Sequence, residues 1–208
     1  MIAIVDYQLG NLRSISAALE RLDVLHVCTS EKKTLEQANG LILPGVGSFP
    51  DGMGNLKKLD LINPLNELVL EKQKPILGIC LGFQLMATVG EEFEETTGLG
   101  WFDAKVVRLN ASDSGVRIPH VGWNDCIQLK ENSIFESIPT RSLFYYTHSF
   151  HMICHDDDDV TATSDHGQSF TAAIQKGMIF GTQFHPEKSQ LHGLRLLKNF
   201  AEMVMNKC

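Results

Sequence analysis

The chain predicts an α/β fold, a single domain over residues 1–208 with a mostly parallel doubly wound sheet flanked by helices and added antiparallel strands. Three observations carry that expectation. Short apolar runs alternate with helix-period segments as far as Val89, the pattern of βαβ units. After Gly98-Leu99-Gly100 the texture changes to short strand-like runs separated by turn residues. No repeat, low-complexity stretch or linker divides the chain, whose length one core can fill.

The elements follow in order. Ile2–Val5 reads as a buried strand, and Asn11–Leu22 as a helix with Leu12, Ile15, Leu19 and Leu22 on one face. Val24–Cys28 and Gly40–Leu43 are further strands, the latter ending at Pro44-Gly45-Val46-Gly47. Leu56–Leu70 is helical with an interruption near Pro64. The apolar run after Pro75 is a strand, and Leu81–Val89 has helical composition. Beyond residue 100, strands are expected at Val106–Leu109, Gly122–Leu129, Leu143–Thr147, Val160–Thr163, Phe170–Gln175 and Met178–Phe184. A helix over Gln190–Met205 closes the chain, with Leu194, Leu197, Ala201 and Val204 on its apolar face.

Composition narrows the functions available. Apolar residues make up 43% and charged residues 21%, as in an ordinary soluble globule. The formal charge of −7 and the scarcity of Lys/Arg clusters speak against a nucleic-acid or anionic-membrane surface. The opening Met1-Ile2-Ala3-Ile4-Val5-Asp6 lacks the basic and apolar regions of a signal peptide, and no apolar run reaches membrane-spanning length. Cys28, Cys80, Cys126, Cys154 and Cys208 are odd in number and widely spaced, which fits free thiols in a reducing cytoplasm. Neither a metal nor a cofactor is expected. The acidic run Asp156–Asp159 reads as a solvated turn, since four consecutive acids point in alternating directions.

One stretch concentrates the chemistry. In Gly78-Ile79-Cys80-Leu81-Gly82 two glycines bracket a cysteine between a strand and a helix, as they bracket the nucleophile of a strained strand-to-helix elbow. The thiol then stands at a helix N-terminus, where the dipole favours the attacking thiolate. Gly-x-Cys-x-Gly is equally the surrounding of a packed core cysteine, so the rest of the chain has to decide. Other segments bear on it. His185 follows a strand and is of the type that takes a thiol proton and returns it to a leaving amine. Glu187 lies two residues on, on the same side in extended backbone, where a carboxylate holds an imidazole's tautomer. Backbone N–H groups of Leu81 and of the Val46-Gly47 loop are candidate oxyanion donors. Two polar–aromatic clusters, Tyr146–Phe150 and Pro119–Asn124, fit packing or binding equally.

Together these segments closely resemble the class I (triad) glutamine amidotransferases, and within them the glutaminase subunits of imidazole glycerol phosphate synthase, the HisH family. The matching residues run nearly end to end: Asp6-Tyr7, Gly10-Asn11-Leu12, Leu43–Gly47, Asp51-Gly52-Met53, Pro75–Leu85, Gly98-Leu99-Gly100, Pro119–Asn124, His148-Ser149 and Gln183–Ser189. The resemblance implies hydrolysis of L-glutamine to glutamate and ammonia, with Cys80 as nucleophile, His185 as acid and base, and Glu187 orienting His185. It places Gly47, Leu81, Gln84, His148, Ser149 and Phe150 at the glutamine pocket, beside the Val46 backbone already named as a candidate oxyanion donor, with an acid from Glu91–Glu95 on the α-amino group. It places Asn11, Trp123, Asn124 and Lys188 near the boundary with a separate (β/α)8 cyclase subunit, a heterodimer that passes ammonia into histidine biosynthesis. Gln8 and Thr147 depart from the family pattern, near that boundary and off the triad. The segments Asp165-His166-Gly167 and Phe170–Ile174 are also similar to a HisH-like branch that supplies ammonia to a different acceptor enzyme for acetamidino sugars. A stand-alone cysteine hydrolase of the same sheet class is a further alternative.

Overall fold

Every residue of the first strand, Ile2–Val5 (β1), is buried, so both of its faces are covered. Ile2 and Ile4 pack into one apolar cluster and Ala3 and Val5 into another, on opposite sides of the sheet. The structure, a computed structural model, describes residues 1–110, 115–131 and 133–206.

Helix α1 spans Leu12–Arg21 and buries Ile15, Ala18 and Leu19. Strand β2, His26–Thr29, begins later than the expected Val24, because Val24 N–H still closes the helix end on the Leu19 carbonyl at 3.0 Å. Helix α2, Lys32–Gln37, was not expected; its single buried residue, Leu35, leaves no periodicity to read. Strand β3 is Gly40–Leu43, as expected. Helix α3, Phe49–Lys58, starts well before Leu56 because Ser48 caps it, its Oγ accepting the Asp51 N–H at 3.3 Å. The interruption falls at Leu59–Leu61, where Asp60 has φ +51°, and not at Pro64. Pro64 sits in the first turn of α4, Ile62–Asn66, where its missing N–H leaves no hydrogen bond unmade. A π-helical turn over Glu67–Glu71 leads to β4, Ile76–Ile79.

Helix α5 covers only Leu81–Gln84, not the expected Leu81–Val89. The Leu85, Met86 and Ala87 carbonyls accept N–H groups of Leu99, Trp101 and Gly100 at 2.8, 2.9 and 3.0 Å. Tertiary hydrogen bonds thus replace the helical ladder, and the chain straightens into β5, Ala87–Gly90. Then come β6 (Thr96–Thr97), β7 (Phe102–Arg108), β8 (His120–Gln128), β9 (Ser142–His148), β10 (Phe150–Cys154), β11 (Val160–Asp165), β12 (Ser169–Lys176), β13 (Ile179–Thr182) and the closing helix α6 (Gln190–Asn206).

One sheet has the order β2-β1-β3-β4-β13-β12-β11-β8-β9, parallel from β2 to β13 and antiparallel beyond. A smaller sheet, β10-β7-β5-β6, flanks it. In the smaller sheet β10 and β6 pair antiparallel with β7 and β5, while β5 and β7 run parallel, so the added strands both extend and flank the parallel core. Of the acidic run, Asp159 departs from the solvated-turn expectation, being buried and 3.8 Å from Lys176 Nζ. Cys28, Cys80, Cys126 and Cys154 are free, while Cys208 lies outside the described residues. Among the described residues no helix is long and apolar enough to cross a membrane.

The cap on α3 gives a direct test of this local reading. Ser48→Ala removes the acceptor for the Asp51 N–H and should lower the free energy of unfolding by about 1 kcal/mol, measured by urea denaturation. Asp51→Asn, which keeps a polar side chain beside Ser48, should lower it by less.

Candidate active site

The carboxyl ends of β3, β4 and β13 lie side by side in the parallel half of the sheet, where ligands of doubly wound folds collect. β3 delivers Pro44–Gly47, β4 delivers Cys80, and β13 delivers Gln183–Glu187. The junction of β9 and β10, Thr147–Phe150, forms the fourth wall. These segments enclose a cavity of about 340 Å³ lined by Val46, Gly47, Cys80, Leu81, Gln84, Glu92, Thr147, His148, Ser149, Phe150 and His185.

Cys80 occupies the elbow with φ +53° and ψ −109°, a conformation that costs free energy and must be imposed by its surroundings. Two constraints impose it. Its N–H donates to the Thr182 carbonyl at 2.8 Å, tying the turn to β13. A β-carbon on Gly82 would lie 1.9 Å from the Leu43 carbonyl oxygen, so the helix approaches β3 as closely as only glycine allows. The Cys80 Sγ is left 3.8 Å from both the Thr147 carbonyl and Gln183 Nε2.

His185 is buried, and its Nδ1 lies 2.9 Å from Glu187 Oε1, whose side chain is also fully buried. The extended backbone expected here is not what joins them. Pro186–Lys188 forms a tight 3-10 turn, closed by Lys188 N–H on the His185 carbonyl at 3.1 Å. Ser189 Oγ donates to the same carbonyl at 2.6 Å and accepts the Tyr145 N–H at 2.9 Å, clamping the histidine against β9. With Nδ1 donating to the carboxylate, Nε2 is the nitrogen left without a partner. Burial works against a charge on this ring, but the Cys80 sulfur and the Glu187 carboxylate outweigh it and raise its pKa to about 10.

One of the expected oxyanion donors is already engaged. The Leu81 N–H is not free, because it points to the Gly45 carbonyl at 3.4 Å. The preceding peptide is held by Tyr7, whose hydroxyl donates to the Pro44 carbonyl at 2.6 Å. Thr147 is also closer to the chemistry than expected, since its carbonyl faces the Cys80 thiol; its departing side chain is not what makes that contact. Gln8 adopts φ +68°, the left-handed conformation that glycine takes readily, and its N–H donates to Asp6 Oδ1 at 3.0 Å.

Val46, Gly47, Leu81, Gln84, His148, Ser149 and Phe150 all line the cavity. Of Glu91–Glu95, Glu92 lines it, with Oε2 accepting the Phe49 N–H at 2.8 Å. The four boundary residues separate into different surroundings. Trp123 is half exposed and packs edge-on against Tyr145 at 6.0 Å, over which Lys188 Nζ stands at 5.7 Å. Asn11 begins α1, which packs against the Pro186–Lys188 turn. Asn124 falls on the other face of β8 from Trp123 and turns its amide toward His120. Gln183, Ser189, Tyr7 and His120 carry contacts that motif reading alone did not assign. Among the described residues no group of three or more His, Cys, Asp or Glu side chains is placed to hold a metal ion.

The pairing of His185 has a consequence for stability. Its folded-state pKa is raised, so its contribution is fully present below about pH 6.5 and is lost as pH rises toward about 10. Thermal melts between pH 7 and 10 should therefore show a steeper fall in Tm for the wild type than for His185→Gln.

Comparison with known proteins identifies the family. The model of glutamine amidotransferase class-I matches residues 3–204. Imidazole glycerol phosphate synthase subunit HisH 1 of Campylobacter jejuni is 46% identical over 203 residues, covering 98% of this chain and 100% of its own. Subunit HisH 2 of Pseudomonas aeruginosa is 42% identical over 204 residues, with 98% and 100% covered. Among solved structures, a chain of PurLQS from Thermotoga maritima superposes with a TM-score of 0.71 at 21% identity, covering 99% of this chain and 97% of that one. With an elbow cysteine, a carboxylate-bound histidine and full-length identity of this order, the chain belongs to the class I glutamine amidotransferases and, within them, to the HisH family.

Proposed function

We propose that this chain hydrolyses L-glutamine to glutamate and ammonia, as the glutaminase half of a heterodimer with a separate (β/α)8 cyclase. In that reading Cys80 attacks the side-chain carboxamide carbon, and His185 Nε2 protonates the departing ammonia, leaving a γ-glutamyl thioester on sulfur. His185 then takes a proton from water, whose oxygen displaces the sulfur and releases glutamate. Glu187 keeps the Nδ1 proton in place and stabilises the imidazolium, and Glu92 supplies a carboxylate for the substrate's ammonium group. The observation that carries the reading is that a strained Cys80 and a carboxylate-oriented His185 face one small polar cavity.

The partner half rests on two further observations. The Gly45 carbonyl occupies the Leu81 N–H, so the oxyanion site has to be opened by an external event. Beside the cavity, β8 and β9 expose Val121, Trp123 and Leu143, an apolar surface suited to a second protein. The cyclase would take the ammonia to form imidazole glycerol phosphate in histidine biosynthesis, in the cytoplasm. All 208 residues would serve the one glutaminase domain.

Glutaminase assays on the lone chain and with a cyclase subunit bearing its ribotide substrate test the proposal. The lone chain should be slow, and the complex faster by about 10²–10³, the value of one oxyanion donor. Cys80→Ala should abolish the gain. Full activity of that variant in the complex would remove Cys80 as nucleophile; full activity of the wild type alone would favour a stand-alone hydrolase. Stimulation by an amidino-sugar acceptor enzyme, and not by the cyclase, would move the chain to that other pathway.

A further inference from the structure

His120 does not line the cavity, yet its ring is buried and hydrogen-bonded to a residue that does. We infer that His120 is a positioning residue for the glutamine pocket, the middle of a one-way hydrogen-bond relay from Asn124 through His148 to the Phe150 carbonyl. Its functional half rests on the glutaminase reading; the relay itself does not.

The direction of the relay follows from either end. Asn124 Oδ1 accepts the Asp125 N–H at 2.8 Å, and its Nδ2 donates to the Asp165 carbonyl at 2.7 Å. The same Nδ2 lies 3.3 Å from His120 Nε2, so that ring nitrogen must accept. A neutral imidazole accepting at Nε2 carries its proton on Nδ1, and His120 Nδ1 lies 3.0 Å from His148 Nε2. From the far end, His148 Nδ1 lies 2.9 Å from the Phe150 carbonyl, which can only accept. His148 is therefore protonated on Nδ1 and offers Nε2 as the acceptor that His120 needs. Both ends demand the same tautomers. A proton added to either ring would set donor against donor. Burial agrees, lowering the pKa of His120 to about 4 and of His148 to about 3.

Packing holds His120 in that orientation. Its ring stacks on His166 at 4.0 Å and on Tyr146 at 4.9 Å, and it sits directly opposite His148 in the β8–β9 register. Four residues of regular strand would separate His120 and Asn124 by ~13 Å, too far for their side chains to meet. Gly122 lies between them with φ +141°, a conformation reserved for glycine, and a β-carbon there would meet nothing within 4 Å. The requirement is backbone shape, not space. At the receiving end the Phe150 carbonyl also accepts Gln84 Nε2 at 2.8 Å, so the relay fixes two cavity-lining side chains through one oxygen.

Histidine-15N labelling of the lone chain tests the relay. Long-range 15N–1H spectra at pH 7 should show His120 and His148 as neutral Nδ1–H tautomers, and Asn124→Leu should move the His148 signals although the two residues do not touch. An Nε2–H tautomer at either ring, or an unmoved His148, would overturn the relay. His120→Phe keeps a stacking ring and removes both nitrogens. In the cyclase complex it should raise KM for glutamine about tenfold, the worth of one buried hydrogen bond, with kcat within about twofold. An unchanged KM, or kcat and Tm falling together, would overturn the positioning role. A wild type that turns over no glutamine would instead sink the glutaminase reading, with the spectra still deciding the relay.

Discussion

The contact between Gly82 and the Leu43 carbonyl is the constraint on which the site depends. A side chain at Gly82 would collide with the backbone of β3, so the start of α5 can approach β3 this closely only with glycine there. That approach, together with the Cys80 N–H on Thr182, holds the cysteine at positive φ and turns its thiol out of the sheet into the cavity. Strain at one residue persists because two neighbouring strands over-determine it. The same geometry accounts for the brevity of α5, since the carbonyls of Leu85–Ala87 are claimed by the chain returning at Leu99–Phe102.

Electrostatics complete what the elbow begins. His185 and Glu187 are buried together, an arrangement that is unfavourable for either charge alone and tolerable for the hydrogen-bonded pair. Ser189 and the 3-10 turn hold the histidine's backbone, so the carboxylate reaches Nδ1 without any help from strand alternation. The Leu81–Gly45 hydrogen bond works in the opposite direction, occupying an N–H that an oxyanion would need. In the proposed reaction, a site built this way holds its nucleophile and base in place while one oxyanion donor is engaged elsewhere. The proposed need for a partner subunit rests on that engaged N–H.

The parallel half of the sheet was legible because its strands are short, apolar and buried on both faces, as at Ile2–Val5 and Gly40–Leu43. Motif residues were legible where chemistry demands particular types at fixed places, as at Cys80, His185 and Glu187. What stayed hidden depended on long-range hydrogen bonds. Composition cannot show that Met86 and Ala87 leave the helix, that Gly45 covers Leu81, or that Asn124 turns inward while Trp123 faces out. Pro64 misled for a local reason: in a first helical turn a proline is compatible with the helix it was expected to break.

In the proposed reaction the Cys80 sulfur is the atom that meets the glutamine carboxamide carbon. Treating the chain with a chloromethyl ketone analogue of glutamine and mapping the adduct by peptide mass spectrometry tests that assignment. A single adduct on Cys80 is expected, prevented by excess glutamine and formed far more slowly in His185→Asn. Labelling of Cys28, Cys126 or Cys154 in preference to Cys80, or labelling indifferent to glutamine, would contradict it.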